Sequence, residues 1–154
     1  MLRERSPSGD VREIWDCSAY WREHRAGEAC DGNALSYNAD TDTIYFSSDA
    51  AHTIVEVARS TGEVLHVWGQ LGNAGGFDDP SSTFWKQHSP NRLANGNLLL
   101  SSWAGENNPE LRAREYAIDE DQQVLRQEWV CGEGSGLQGT AAGKPTDSTT
   151  ATPS

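Results

Sequence analysis

A pattern of four short strands occurs twice in this chain and limits the folds available to it. In residues 32–69, runs such as TIYFSS and TIVEVA alternate between apolar and polar residues and are separated by polar turns. Residues 89–132 repeat the same order of strands and turns at an offset of about 55–60 residues, as successive units of a repeat fold do. Each copy therefore predicts one four-stranded antiparallel sheet.

Two such sheets leave faces and edges that need further partners. Propellers close with four to eight blades, and an open piece leaves strand edges unpaired. The segment VREIWD, near the start, resembles the last strand of a preceding blade. We therefore predict an all-β fold, a partial β-propeller of about two four-stranded antiparallel blades. It is either a segment of a larger propeller or a unit that self-associates to replace the missing blades.

Composition divides the chain into three parts. Residues 1–10 are predicted to be a flexible N-terminus, and residues 11–133 to form the propeller blades. Residues 134–154 contain almost no apolar side chains, so they cannot offset the entropy lost on ordering. We predict a disordered low-complexity tail there.

Charge and hydrophobicity exclude several kinds of partner. The net charge is −11, and an acidic surface repels phosphate backbones, so no nucleic acid is expected to bind. No apolar run approaches the length of a membrane span, so no membrane partner is expected. The first residues lack the apolar core of a signal peptide. We expect either a cytosolic protein or a missing true N-terminus.

Three cysteines, Cys17, Cys30 and Cys131, are too few and too widely spaced for a zinc site. One disulfide with one free thiol and three partly buried thiols both remain open. Trp15, Trp68 and Trp129, at the ends of outer strands, are expected to seal contacts between sheets. Trp103 is placed in a loop after an inner strand, as a candidate aromatic wall of a site.

The four histidines differ in their sequence surroundings. His88 precedes the Asn95-Gly96 turn and an apolar strand, so it either caps that strand or performs chemistry. His52, in a turn, and His66, on the polar face of the last strand of the first copy, are not expected to be ligands. His24 is placed in an irregular loop that is a candidate to cover the site.

Three phrases, in this order, resemble the bacterial arylsulfotransferases: IVEVARSTGEVLHVWG, then QHSPNRLANGNLLLSSWAG, then RAREY. The resemblance covers roughly residues 11–131. It implies a six-bladed propeller with a site at its axis. It also implies transfer of a sulfuryl group from an aryl sulfate to a phenol through a sulfo-histidine. No metal or organic cofactor is implied, and the location implied is periplasmic or secreted.

The resemblance assigns residues only where motifs match. His88 matches the histidine that takes the sulfuryl group, and Asn33 matches a family asparagine. Asp31 and Asp49 stand where the family has a histidine and an arginine, and two carboxylates oppose an anionic transition state. Arg92, just after His88, is a candidate to replace the missing positive charge.

Arg112 and Arg114 are further candidates, although their positions favour a role as solvated partners of Glu115 and the acidic surface. Three functions remain open at this point: an arylsulfotransferase-like enzyme or a fragment of one, a non-catalytic propeller segment that binds a small ligand or a protein, and a different class of propeller, quinoprotein-like or NHL-like.

Overall fold

The computed structural model describes residues 1–24, 30–71, 74–139 and 145–146. This part of the chain is mostly β, with 57% of its residues in strands and 8% in helices. The sheets are antiparallel, and one of them curls like half a barrel. The predicted all-β class is therefore confirmed.

The first half of the chain contains a hairpin, a helix and one complete sheet. The hairpin pairs β1 (Leu2–Arg5) with β2 (Val11–Trp15), and helix α1 (Cys17–His24) follows it. The first sheet contains, in chain order, β3 (Gly32–Asn38), β4 (Thr43–Ser48), β5 (Thr53–Ala58) and β6 (Val64–Gly69). Each strand pairs antiparallel with the next, as the first copy of the pattern predicts.

The second half repeats this arrangement after a connection that contains β7 (Gly76–Phe77) and a 3₁₀ helix (Pro80–Ser82). The second sheet contains β8 (Trp85–Arg92), β9 (Leu98–Gly105), β10 (Asn108–Asp119) and β11 (Val124–Cys131), again each antiparallel to the next. β7 pairs parallel with β11. Two short strands, β12 (Gln138–Gly139) and β13 (Pro145–Thr146), extend the sheet beyond β10.

One apolar cluster joins the two sheets. It combines three side chains of the first sheet with four of the second and with Phe84 of the connection, all 2% exposed or less. Its members are Tyr45, Ile54, Trp68, Phe84, Leu98, Leu100, Tyr116 and Leu125. Because both sheets bury their apolar face in the same cluster, each covers surface that the other would expose to water.

A second cluster covers the opposite face of the first sheet. Trp15 of the hairpin and Trp21 of α1 pack edge-on against Phe46 of β4. A disulfide between Cys17 and Cys30, with Cα atoms 5.9 Å apart, connects α1 to the segment that leads into β3. The cysteine arrangement is thus one disulfide and an exposed free thiol at Cys131.

Several local expectations differ from the structure. Leu2–Arg5 forms a strand rather than a flexible segment, because its backbone pairs with β2. His24 lies at the end of a helix rather than in a loop. Trp103 lies within β9 rather than in a loop, because β9 and β10 continue to a short turn at residues 106–107. Trp129 is 47% exposed and seals no contact between the two sheets.

His66 also differs from its expected place on a polar face. It forms a cross-strand row with Tyr45 and Glu56, and its Nδ1 lies 2.9 Å from Oε2 of Glu56. The phenol of Tyr45 donates to the other carboxylate oxygen at 2.8 Å. Burial, together with this carboxylate, raises the pKa of Tyr45.

The predicted disordered tail at 134–154 lies largely outside the described residues. Of that segment, residues 134–139 and 145–146 are described, and they include the paired strands β12 and β13.

Candidate functional site

Strand β8 has an irregular backbone on both sides of His88. Lys86 and Ser89 adopt left-handed conformations, with φ of 48° and 53°, and the pairing with β9 shifts register on each side of His88. Left-handed residues other than glycine are uncommon and cost free energy, and such strain is concentrated at functional sites. The alternation of β8 is therefore broken at the histidine that the sequence singles out.

His88 is half-buried, and its ring is oriented by its neighbour. Nδ1 lies 2.7 Å from Oγ of Ser89, while the backbone carbonyl accepts a hydrogen bond from Ser101 at 3.2 Å. In the described part of the chain, no hydrogen bond is made by Nε2 of His88. If Nδ1 carries the ring proton and donates a hydrogen bond to Oγ of Ser89, the Nε2 lone pair is available to a ligand.

Gln87 connects β8 to the first sheet. Its side chain is fully buried, and Nε2 donates to Oγ of Ser47 and to the carbonyls of Ser48 and Thr53 at 2.8–3.1 Å. The backbone carbonyl of Gln87 accepts hydrogen bonds from Oγ of Ser47 and from Nδ2 of Asn33. The sequence reasoning missed this role, although Gln87 is half of the QH phrase that carries the resemblance.

Asn33 lies next to the histidine strand. Its Nδ2 donates to the carbonyl of Gln87 at 2.7 Å, which brings it to the residue before His88. A register shift between Gly32 and Ala34 turns the Asn33 side chain toward β8. Asn33 thus contacts the peptide group that directly precedes His88, the other residue of this segment that the sequence assigned to the site.

Asp31 is held by the turn between β4 and β5. One carboxylate oxygen accepts from Oγ of Ser48 at 2.7 Å, and the other accepts from the backbone N–H of Ala50 at 2.9 Å. Both oxygens are therefore engaged by the protein itself. This is the structural role that short acidic side chains often have in turns.

Asp49 lies beside Lys86. The lysine Nζ is 3.1 Å from Oδ2 of Asp49, with 29% and 17% of the two side chains exposed. Oδ1 of Asp49 is buried without a hydrogen-bond partner among the described residues. The nearest positive charge to the histidine segment in sequence is thus a lysine that sequence reasoning did not select.

His52 supports the backbone of Lys86. The amide of Lys86 donates to Nδ1 of His52 at 3.2 Å, and the ring packs edge-on against Trp85 at 4.8 Å. An Nδ1 that accepts this bond carries no proton, so the histidine is neutral with its proton on Nε2. His52, expected only in a turn, therefore helps to fix the left-handed residue before Gln87.

The candidate arginines lie elsewhere. Arg92 is four residues beyond His88, about 13 Å along an extended strand, and it pairs with Glu120 at 3.3 Å. Arg112 pairs with Glu110 and Glu133 at 3.2 and 2.9 Å. None of these contacts directs an arginine toward the histidine.

Arg114 is buried, with 1% of its surface exposed, and hydrogen-bonds neutral groups. It donates to Oγ of Ser102, Oε1 of Gln127 and the carbonyls of Ser82 and Ala104. It therefore connects the 3₁₀ helix to three places in the second sheet. Its role is to hold the connection before β8, and these four bonds direct its guanidinium to groups other than His88.

Two open grooves border the first sheet. One, of about 310 Å³, is lined by Gly32, Asn33, Ala34, Leu35 and Phe46. The other, of about 400 Å³, lies between the hairpin and β3, with a mostly apolar lining that includes Leu2, Ile14 and Tyr37. The smaller groove places Asn33 at a surface that a small ligand can reach.

Among the residues described, no group of three His, Cys, Asp or Glu side chains is placed to hold a metal ion. The helices of the described segments include none that is both long and apolar enough to cross a membrane.

Comparisons with known proteins do not identify the chain: no family model matches it, and no curated protein is similar to it.

Proposed function

We propose that the chain is an arylsulfotransferase-like protein in which His88 carries a sulfuryl group from an aryl sulfate to a phenol. The observation that carries this proposal is the placement of His88. It lies between two strained residues, its Nδ1 is hydrogen-bonded, and Asn33 contacts the preceding carbonyl. A structural histidine that only caps a strand does not require this backbone conformation.

We also propose that the two sheets are neighbouring blades of a β-propeller. Their order along the chain and the cluster between them support this proposal. So does the contact between their first strands, where Ser36 of β3 donates to the carbonyl of Pro90. The remaining blades would come from a longer chain or from further copies of this one.

The reaction would proceed in two displacements at sulfur. In the first, the Nε2 lone pair of His88 attacks sulfur, the bond from sulfur to the aryl oxygen breaks, and a phenolate leaves with the electron pair. In the second, the oxygen of the acceptor phenol attacks sulfur, the phenol proton passes to solvent, and the N–S bond electrons return to Nε2. Ser89 would hold the Nδ1–H tautomer that leaves Nε2 nucleophilic.

The electrostatic objection raised by the two aspartates is reduced by their contacts. Both oxygens of Asp31 accept hydrogen bonds from the β4–β5 turn, and Asp49 is paired with Lys86. Neither carboxylate therefore presents a full uncompensated charge to an anionic group. Because its charge is balanced by Asp49, Lys86 would offer N–H donors to the sulfuryl oxygens, and not the net positive charge that the sequence interpretation assigned to Arg92.

The direct test is nitrophenol release from 4-nitrophenyl sulfate in the presence of a phenol acceptor. We expect turnover by the wild-type chain and its loss, by at least about a thousandfold, in His88→Ala, because the covalent intermediate cannot form. His24→Ala is the matched control, since His24 lies on α1, where its Nδ1 is 2.9 Å from the carbonyl of Tyr20. The control should keep wild-type turnover.

Two further measurements make the outcome decisive. Circular dichroism of His88→Ala establishes that the variant is folded. Mass spectrometry of samples that are quenched rapidly and kept out of acid should find an added sulfuryl group on the peptide that contains His88. Equal nitrophenol release from wild type and His88→Ala, or none from either, would contradict the enzymatic proposal.

The second candidate function is binding without catalysis, by a propeller segment that holds a small ligand or a protein partner. The groove of about 400 Å³ between the hairpin and β3 favours it, because Leu35 and Tyr37 on its wall are 57% and 52% exposed. Exposed apolar surface of this kind is typical of binding sites. In that case, His88→Ala would leave the binding of an apolar fluorescent probe unchanged.

A further inference from the structure

We infer that Lys86 and Asp49 form an anion subsite of no net charge, which selects monoanionic sulfate esters over dianionic phosphate monoesters. The inference rests on the proposed function, because it assigns the part of the substrate that His88 would attack. It identifies Lys86 and Asp49 as residues that determine specificity.

The geometry presents the lysine to a ligand. Lys86 is held at φ 48° by the bond from its amide to His52, two residues before His88 in the same strand. Its ammonium group contacts one carboxylate oxygen at 3.1 Å and has three N–H donors. With 29% of its side chain exposed against 17% for Asp49, the lysine is the more accessible member of the pair.

The charge balance of this region is unfavourable for a second negative charge. Lys86 and Asp49 cancel, and His52 is neutral in the tautomer that accepts the Lys86 amide. Asp31, just before β3, accepts a hydrogen bond from Ala50 of the β4–β5 turn and adds a further carboxylate near Asp49. A sulfate monoester carries one negative charge at neutral pH. A phosphate monoester carries close to two above its second pKa of about 6. The additional charge gains no additional cation and is repelled by Asp49.

Isothermal titration of the full chain with 4-nitrophenyl sulfate and 4-nitrophenyl phosphate at pH 8 tests the inference. The wild type should bind the sulfate ester more tightly. In Asp49→Asn, affinity for both esters should rise, and that for the phosphate should rise about tenfold more, because the removed charge acts on twice the ligand charge. Lys86→Gln should weaken the binding of both esters.

Asp40→Asn is the matched control. Asp40 is exposed in the turn between β3 and β4, at the other end of the sheet, and the substitution makes the same change in net charge. Three results would overturn the subsite. The affinities for the two esters could change equally in Asp49→Asn, or change as much in Asp40→Asn as in Asp49→Asn. The third result is that neither affinity changes in Lys86→Gln. Failure of both esters to bind any variant would also overturn the subsite.

These outcomes are separate from the transfer assay because titration requires no turnover. Charge-selective binding without nitrophenol release would leave the subsite in place and contradict the enzymatic proposal. Nitrophenol release that depends on His88, without a difference between the two esters in Asp49→Asn, would contradict the subsite and leave the enzymatic proposal in place. Lys86→Gln tests the pair independently should Asp49→Asn fail to fold.

Discussion

At the scale of single residues, the sequence singled out His88 as a candidate but not the residues that support its strand. His88 and Asn33 were found because they stand in recognisable phrases, and the structure places Asn33 against the carbonyl that precedes His88. Lys86 and His52 were missed because their roles depend on left-handed backbone, which an alternating pattern of apolar residues does not encode. Arg92 was expected at the site but points to Glu120, because four residues of strand separate it from His88.

Arg59 provides a residue-scale prediction about acid stability. It donates to Glu4 of the hairpin at 2.7 Å and to Asp42 of the β3–β4 turn at 2.6 Å. The hydrogen bond from Arg59 is the main cause of the lowered pKa of Asp42. For Glu4, the bond from Arg12 comes first among the causes of the lowered pKa, and Arg59 contributes to it.

A carboxyl with a lowered folded-state pKa stabilises the fold above its unfolded pKa, near 4, and loses that contribution as the pH falls through the folded value. Arg59→Gln should therefore make the melting temperature fall less steeply between about pH 5 and pH 2. Arg5→Gln is the control, since Arg5 hydrogen-bonds the carbonyl of Gly9. Thermal melts of both variants at a series of pH values measure the effect, and parallel curves for Arg59→Gln and wild type would contradict it.

At the scale of elements, alternation predicted strands at the right positions, although the two strands concerned are buried on both faces and not on one alone. TIYFSS and TIVEVA are strands β4 and β5 with the predicted bounds. It failed for β8, where two register shifts break the period, and for β1, whose pairing depends on a partner strand rather than on its own composition. The β9–β10 hairpin is longer than predicted, because Asn and Pro suggested a loop within β10.

Gly62, in the turn between β5 and β6, provides the prediction at this scale. Its φ is +75°, and a Cβ there would collide with the carbonyl oxygen of Ile14 in β2. Gly62→Ala should cost about 1 kcal/mol for the left-handed conformation and a further 1–3 kcal/mol for displacing the hairpin. Denaturant unfolding measures this loss.

Gly96→Ala separates the two contributions. Gly96 has φ of +87°, but the nearest atom to an added Cβ is a guanidinium nitrogen of Arg92 at 4.0 Å. Gly96→Ala should therefore lower the free energy of unfolding only by the cost of the left-handed conformation, about 1 kcal/mol. Equal losses for the two variants would show that the contact between the β5–β6 turn and the hairpin does not hold the hairpin in place.

At the scale of the whole molecule, the repeated pattern predicted two antiparallel sheets but not how they are covered. The sheets share one apolar cluster, while the outer face of the first is covered by a hairpin and a helix. The Cys17–Cys30 disulfide joins that helix to the segment before β3. The sequence left that disulfide as one of two alternatives, because spacing alone does not determine pairing. The complete propeller remains a proposal, because a repeated unit specifies how it packs against its neighbours and not how many units there are.

Phe84 tests whether the two sheets unfold together. It is fully buried in the shared cluster, in contact with Phe77 and Tyr116. Phe84→Ala should destabilise the chain by about 3–5 kcal/mol in one transition. Amide hydrogen exchange of β5 and β10 should report the same loss. Loss of protection in β10 alone would mean that the sheets are independent units.

The buried amide of Gln87 has a consequence for anyone who wishes to alter the chemistry of this chain. Gln87 directly precedes His88, for which we propose the transfer chemistry, and its side chain also connects the two sheets through three hydrogen bonds. Because Gln87 is fully buried, most substitutions there should leave its polar partners without a hydrogen bond and weaken the contact between the sheets. Variants meant to alter the proposed site are therefore better placed at Lys86 and Asp49, whose side chains are 29% and 17% exposed.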